Sequence, residues 1–173
     1  EDYLADLAKD ISRLLTTPGR SVQSLLESGT EAWVKLYRRD AHSDNQQVSY
    51  YLKGALIALL MDLHLLAAGS GLHLLLQQLW QQFGPAERGY TQSDLMAAIS
   101  ALDADLGTLV LPWLSGVDDL PLAGYLKKAG LLLAPEPCSV PFTGLHLDRV
   151  EGQVQVRRVE RSSPGEDAGL SPG

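Results

Sequence analysis

The stretch Ser49-Tyr50-Tyr51-Leu52-Lys53-Gly54-Ala55 opens the most apolar segment of this 173-residue chain. The segment extends from Val48 to about Ala68, and its strongly polar interruptions are Lys53, Asp62 and His64. A segment that is apolar around its whole circumference predicts a helix buried at the centre of a helical bundle. We expect this helix to be too short and too interrupted to span a bilayer. The other helices are then expected to pack around it.

The residues on either side of this segment also repeat with the period of a helix. The first predicted helix ends at Thr17-Pro18-Gly19, and its apolar face holds Leu4, Leu7, Ala8, Ile11, Leu14 and Leu15. Ser28 and Glu31 have the spacing of a capping box, which predicts a short helix bearing Trp33 and Tyr37. Residues 40–47 are polar and predict a loop. Later helices are predicted to begin at Ser70, at Thr91 with Asp94, and at about Pro121.

The period of the sequence changes near its C-terminus. Ala134-Pro135-Glu136-Pro137 has the composition of a linker. Beyond it, apolar residues alternate on both sides of the turn Glu151-Gly152, which predicts a pair of strands. We therefore predict a mainly α fold with a helical body over residues 1–134, a linker at 135–141 and a small β-rich tail over 142–173.

Charge and composition exclude several classes of function. The formal net charge is −7, and the only arginine-rich cluster holds Arg157, Arg158 and Arg161, which argues against a nucleic-acid partner. The single cysteine, Cys138, excludes an internal disulfide framework. No His-Glu-x-x-His motif occurs, and the histidines lack the spacing of zinc ligands: His42, His64, His73 and His146. We expect no bound metal and no membrane partner.

Spacing alone leaves two interpretations of Tyr50 and Tyr51. They are either half-buried aromatic residues that close a helix end, or phenols with a chemical role. Gly54 costs about 1 kcal/mol relative to alanine inside a helix, which close contact with another helix would explain. Lys53 beside it could extend its ammonium group to solvent.

Several motifs in the chain resemble, in their order, the glycyl aminopeptidase family of zinc metallopeptidases, which are distant relatives of aminopeptidase N. They are Thr17-Pro18-Gly19-Arg20, Ala32-Trp33-Val34-Lys35-Leu36-Tyr37-Arg38, residues 49–55 and Leu120-Pro121-Leu122. The resemblance implies the helical, C-terminal half of a thermolysin-like (gluzincin) catalytic domain. It assigns to Tyr51, with Tyr50 as the nearest rival, the phenol that stabilises the oxyanion during peptide hydrolysis. Loss of one such donor typically slows turnover by about 10²–10³.

The family's zinc motif lies upstream of residue 1 in this comparison. The resemblance therefore implies a zinc-dependent parent aminopeptidase that trims small N-terminal residues from peptides. We expect the present chain to begin just past the last zinc ligand, to bind no zinc, and to be inactive without the N-terminal zinc-binding half. The alternative is a non-catalytic helical module that binds peptides or proteins. The compartment is not determined by the sequence, and of cytoplasm and periplasm we favour the cytoplasm.

The C-terminal tail is similar to the first half of a bacterial PDZ domain. The similarity rests on Phe142-Thr143-Gly144-Leu145, on Gly152-Gln153-Val154-Gln155-Val156 and on residues 163–173. It implies that Gly144 and Leu145 belong to the loop that holds a peptide carboxylate. The alternative is an ordinary hairpin packed on the helical body. The strand edges of half a domain would also be open to self-association.

Overall fold

The protein is described by a computed structural model that covers residues 2–137 and 139–173. It is mainly helical with two antiparallel strands near the C-terminus, which confirms the predicted fold class at this level. Cys138 lies outside the described residues, so the prediction about the single cysteine is not tested.

The helices follow one another along the chain and precede the strands, except for one last short helix. They are α1 (Asp2–Leu15), α2 (Leu25–Thr30), α3 (Ser43–Gln46), α4 (Tyr50–Ala67), α5 (Leu72–Phe83), α6 (Gln92–Leu102), α7 (Ala104–Ser115), α8 (Leu122–Lys128) and α9 (Pro164–Asp167). A 3-10 turn, Pro18–Ser21, lies between α1 and α2. The strands are β1 (Leu145–Val150) and β2 (Gln153–Val159).

Two compact units can be distinguished in the chain. The first unit holds residues 2–52, 117–119 and 134–173, and the second holds 53–116 and 120–133. The hairpin of β1 and β2 thus belongs with the N-terminal residues rather than standing alone. The predicted boundaries at 134 and 142 stay predictions.

The second unit is built around α4. Leu56, Ile57, Leu60 and Leu65 of this helix are buried, and buried leucines and isoleucine from α5 to α8 join them: Leu75, Leu79, Ile99, Leu106, Leu122 and Leu126. Helix α6 packs against both α5 and α7. The apolar composition of α4 therefore serves a core, as predicted for a helix without a polar face.

The expectation that this apolar segment is too short for a bilayer is wrong on length and composition. Ser43–Ala67 is long enough and apolar enough to cross a membrane, with a mean hydropathy of 1.4. Core helices of soluble proteins meet the same two criteria. The absence of a membrane partner therefore stays a prediction.

The first unit joins α3 to the hairpin through one asparagine. The side-chain amide of Asn45 donates to the Val159 carbonyl at 2.7 Å, and its oxygen accepts the Arg161 amide at 3.0 Å. Strands β1 and β2 pair in antiparallel register, with an irregularity between His146 and Leu147. Because Asn45 satisfies backbone groups at the end of β2, this end of the hairpin is tied to the residues just before α4.

Three local predictions are wrong. The capping box lies at Ser24 and Glu27 instead of Ser28 and Glu31. Helix α2 ends at Thr30, before Trp33 and Tyr37, which were predicted to be helical. Residues 43–46 form a helical turn, α3, within the predicted loop. Helix α5 is capped at Gly71 instead of Ser70, and its first amide, that of Leu72, donates to the Asp62 carboxylate at 2.8 Å. The box at Thr91 and Asp94 is confirmed.

Candidate functional site

Tyr50 and Tyr51 form the first turn of α4, where they join an aromatic cluster. The hydroxyls of Tyr37 and Tyr51 are 3.4 Å apart, and the rings of Tyr50 and Tyr51 have centroids 4.1 Å apart. The Trp33 ring lies 5.2 Å from that of Tyr37. We call Trp33, Tyr37, Tyr50 and Tyr51 the aromatic cluster. The Tyr51 side chain is 63% exposed and Trp33 is 83% exposed, so solvent reaches the phenol of Tyr51.

Hydrogen bonding within the cluster makes the two candidate tyrosines different acids. A hydrogen bond from Tyr37, and secondarily one from Tyr50, lowers the pKa of Tyr51 below its usual value near 10. The pKa of Tyr50 is raised, because its hydrogen bonds to Tyr51 and Tyr37 favour the neutral phenol. Tyr51 is therefore the more acidic phenol and the better hydrogen-bond donor.

Buried hydrogen bonds fix the backbone just before the start of α4. Both backbone groups of Val48, two residues before Tyr50, are bound by side chains. Its amide donates to the Gln23 side-chain oxygen at 3.1 Å, and its carbonyl accepts from the Ser28 hydroxyl at 2.5 Å. Gln23 in turn donates to the Glu31 carboxylate at 2.9 Å. Because Gln23, Ser28 and Val48 are buried and hydrogen-bonded to one another, they hold the segment that carries the tyrosines.

Lys53 does not extend to solvent. Its side chain is 2% exposed, and its ammonium group donates to the Gly116 carbonyl at 3.0 Å. Gly116 caps the C-terminal end of α7, where unpaired carbonyls favour a cation. Lys53 thus ties α4 to the end of α7 inside the second unit.

The histidines do not form a metal site. His64 binds the Tyr125 hydroxyl through Nδ1 at 3.0 Å, and its Nε2 lies 3.4 Å from the Asp103 carboxylate. The amide of Leu106 and then His64 lower the pKa of Asp103, whereas burial raises the pKa of Tyr125. Among the described residues no three His, Cys, Asp or Glu side chains are placed to hold a metal ion. The residues present therefore do not fit the zinc ion that the resemblance implies.

Gly144 and Leu145 lie at the start of β1. Gly144 has φ +72°, and a Cβ there would lie 2.2 Å from the Ser163 Cβ, so only glycine fits. Its carbonyl accepts the Glu160 amide at 2.8 Å, and the Leu145 amide donates to the Thr143 hydroxyl at 3.3 Å. These groups stabilise the hairpin. Their predicted role in holding a peptide carboxylate stays a prediction.

Comparison with known proteins gives two matches. The family model of M61 glycyl aminopeptidases matches residues 1–57, which include the whole aromatic cluster. The crystal structure of an aminopeptidase N family protein from Idiomarina loihiensis is similar, with 26% sequence identity and a TM-score of 0.81. Together they support a peptidase-family segment. The alignment covers 95% of this chain and 31% of the solved protein, so this chain spans about a third of that protein's length. No curated protein matches the sequence.

Sequence reasoning missed the contacts that organise the cluster. Tyr37 and Tyr51 are 14 residues apart, and neither helical nor strand spacing connects them. Trp33 and Tyr37 were expected on a helix, whereas the structure places them in turns beyond the end of α2. The one pointer to them in the sequence is that residues 32–38 carry part of the family resemblance.

Proposed function

We propose that this segment supplies the helical wall of the active-site cleft of a zinc-dependent aminopeptidase, and that Tyr51 stabilises the oxyanion in peptide-bond hydrolysis. One observation carries the proposal: the glycyl aminopeptidase match over residues 1–57 includes an exposed phenol that a neighbouring tyrosine makes more acidic. An exposed donor of this kind is suited to a substrate that approaches from solvent.

The chemistry assigned to Tyr51 is hydrogen-bond donation. A phenol can donate this bond only while it keeps its proton, and the ordinary pKa of tyrosine lies near 10. When Tyr37 donates to the Tyr51 oxygen, the Tyr51 hydrogen is left to point toward a substrate carbonyl. Negative charge grows on that oxygen as water adds to the carbonyl carbon, and a donor already in place stabilises it. Tyr37 then acts as a positioning residue.

The remaining assignments belong to the longer protein. We assign the zinc ion to its N-terminal half, which would be the partner of this chain, and peptides with small N-terminal residues would be the substrates. The chain alone is then inactive. The tail would be half of a PDZ-like module whose strand edges permit self-association, and the compartment we favour is the cytoplasm.

A second function is favoured by the exposure of the cluster. Trp33, Val34, Tyr37 and Tyr51 all present large apolar surface to solvent. Exposed aromatic residues are enriched at sites of protein and peptide binding. The chain would then be a non-catalytic interaction module that keeps a peptidase fold.

A measurement of peptidase activity in the longer protein distinguishes the two proposed functions. We would measure zinc content and glycyl-anilide hydrolysis for this chain and for the full-length protein that contains it. The proposed function predicts zinc binding and hydrolysis by the longer protein and neither by this chain. A full-length protein that holds zinc and hydrolyses nothing would contradict the proposal and favour the interaction module.

A further inference from the structure

A polar cavity of about 270 Å³ lies in the first unit and includes none of the aromatic cluster. Its charged walls come from α1, from the residues around α3 and from the hairpin. We call it the arginine cavity, and its ionisable residues are Arg13, Arg39, Asp44, His146, Arg158 and Glu160. It therefore brings together residues that are far apart in the sequence.

The cavity has more positive than negative charge. Arg39 and Arg158 both bind the Asp44 carboxylate, and Arg158 also lies 3.5 Å from Glu160. Arg13, on α1, forms no ion pair within residues 2–137 and 139–173. Three arginines and two carboxylate residues thus line the cavity, in a chain whose formal net charge is −7. A local excess of positive charge in an acidic protein attracts anions.

The hydrogen-bond donors of Arg158 are not all paired within the described residues. The Nε of Arg158 is buried and has no hydrogen-bond partner among the described residues. The Nε2 of His146 lies 2.5 Å from both the Glu160 carboxylate and an Arg158 nitrogen. A ring nitrogen donates or accepts but does not do both, so when His146 donates to Glu160 that Arg158 nitrogen loses an acceptor. An anion oxygen in the cavity would supply that Arg158 nitrogen with another acceptor.

We propose that the arginine cavity binds a small anion through carboxylate or phosphate oxygens. Guanidinium groups match both kinds of oxygen through paired hydrogen bonds. The volume would hold about nine water molecules at roughly 30 Å³ each, which suits inorganic phosphate or a short dicarboxylate. This proposal uses no residue of the aromatic cluster and does not rest on the proposed peptidase function.

The test is calorimetric titration of the chain with sodium phosphate and, separately, with sodium succinate, against sodium chloride at equal ionic strength. We expect saturable binding of at least one anion. Arg13→Gln should weaken it at least about tenfold, the cost of one hydrogen bond to a charged group. Arg149→Gln makes the same charge change on the exposed part of β1 and should leave binding within about twofold.

The pattern of results identifies the ligand or overturns the proposal. Binding of succinate alone would indicate a carboxylate ligand, and binding of phosphate alone a phosphate ligand. The proposal is overturned if neither anion gives saturable heat, or if Arg13→Gln binds as well as the wild type. Equal weakening by Arg13→Gln and Arg149→Gln would also overturn it, because it would reveal attraction to overall charge instead of a site.

Discussion

The Ser28 hydroxyl offers the sharpest test of how the start of α4 is held. Ser28→Ala removes the group that donates to the Val48 carbonyl, at a place where Ser28 is 2% and Val48 1% exposed. Alanine leaves the packing almost unchanged, so the main cost is a buried carbonyl that loses this partner, about 1–3 kcal/mol. For a protein of this size, we expect the melting temperature to fall by about 2–12 °C.

The assay is thermal unfolding followed by circular dichroism, with Ser21→Ala as the matched control. The Ser21 hydroxyl also donates to a backbone carbonyl, that of Pro18 at 3.0 Å, but on the exposed surface. Water replaces that donor, so the control should cost about 0.5 kcal/mol or less. Equal shifts in melting temperature for the two variants would refute the claim that burial makes the Ser28 hydrogen bond more stabilising than the Ser21 bond.

Two further predictions concern packing and pH. Gly19→Ala should destabilise the protein by more than about 1 kcal/mol in urea, because a Cβ there would lie 2.2 Å from the Gln47 carbonyl oxygen. Gly29→Ala is the control, since no atom lies within 4 Å of its added Cβ, and equal stability of the two variants would contradict the packing argument. The lowered pKa of Asp103, caused first by the Leu106 amide, gives stability that is present above its usual value of 3.8 and lost as the pH falls through the lower folded value. Asp103→Asn should therefore have a flatter profile of unfolding free energy against pH below about pH 4, and parallel urea-denaturation profiles would contradict this.

The elements that sequence predicts well are those whose signals act locally. Thr91 and Asp94 bind each other on the exposed surface, so their spacing is sufficient to predict the box. Ser24 with Glu27 and Ser28 with Glu31 have the same spacing, and the choice between them depends on a tertiary contact. Ser28 lies inside α2 and binds Val48, which no local pattern reveals.

In the candidate site, too, local features could be predicted from the sequence and tertiary contacts could not. The sequence places Tyr50 and Tyr51 at the start of a buried helix, and the structure confirms that position. It does not reveal that Tyr37 lowers the pKa of Tyr51, because that contact depends on how the turns after α2 fold back. The burial of Lys53 could not be predicted from the sequence either, since the Gly116 carbonyl that it binds is 63 residues away.

The central claim is that Tyr51 donates a hydrogen bond to charge that develops during hydrolysis by the longer protein. The most direct test is kcat and KM of the zinc-loaded full-length Tyr51→Phe variant on a glycyl-anilide. Tyr3→Phe, at another exposed tyrosine of the first unit, is the control. We expect kcat to fall by about 10²–10³ for Tyr51→Phe alone, with KM and zinc content nearly unchanged. A wild-type kcat, or a change confined to KM, would contradict it.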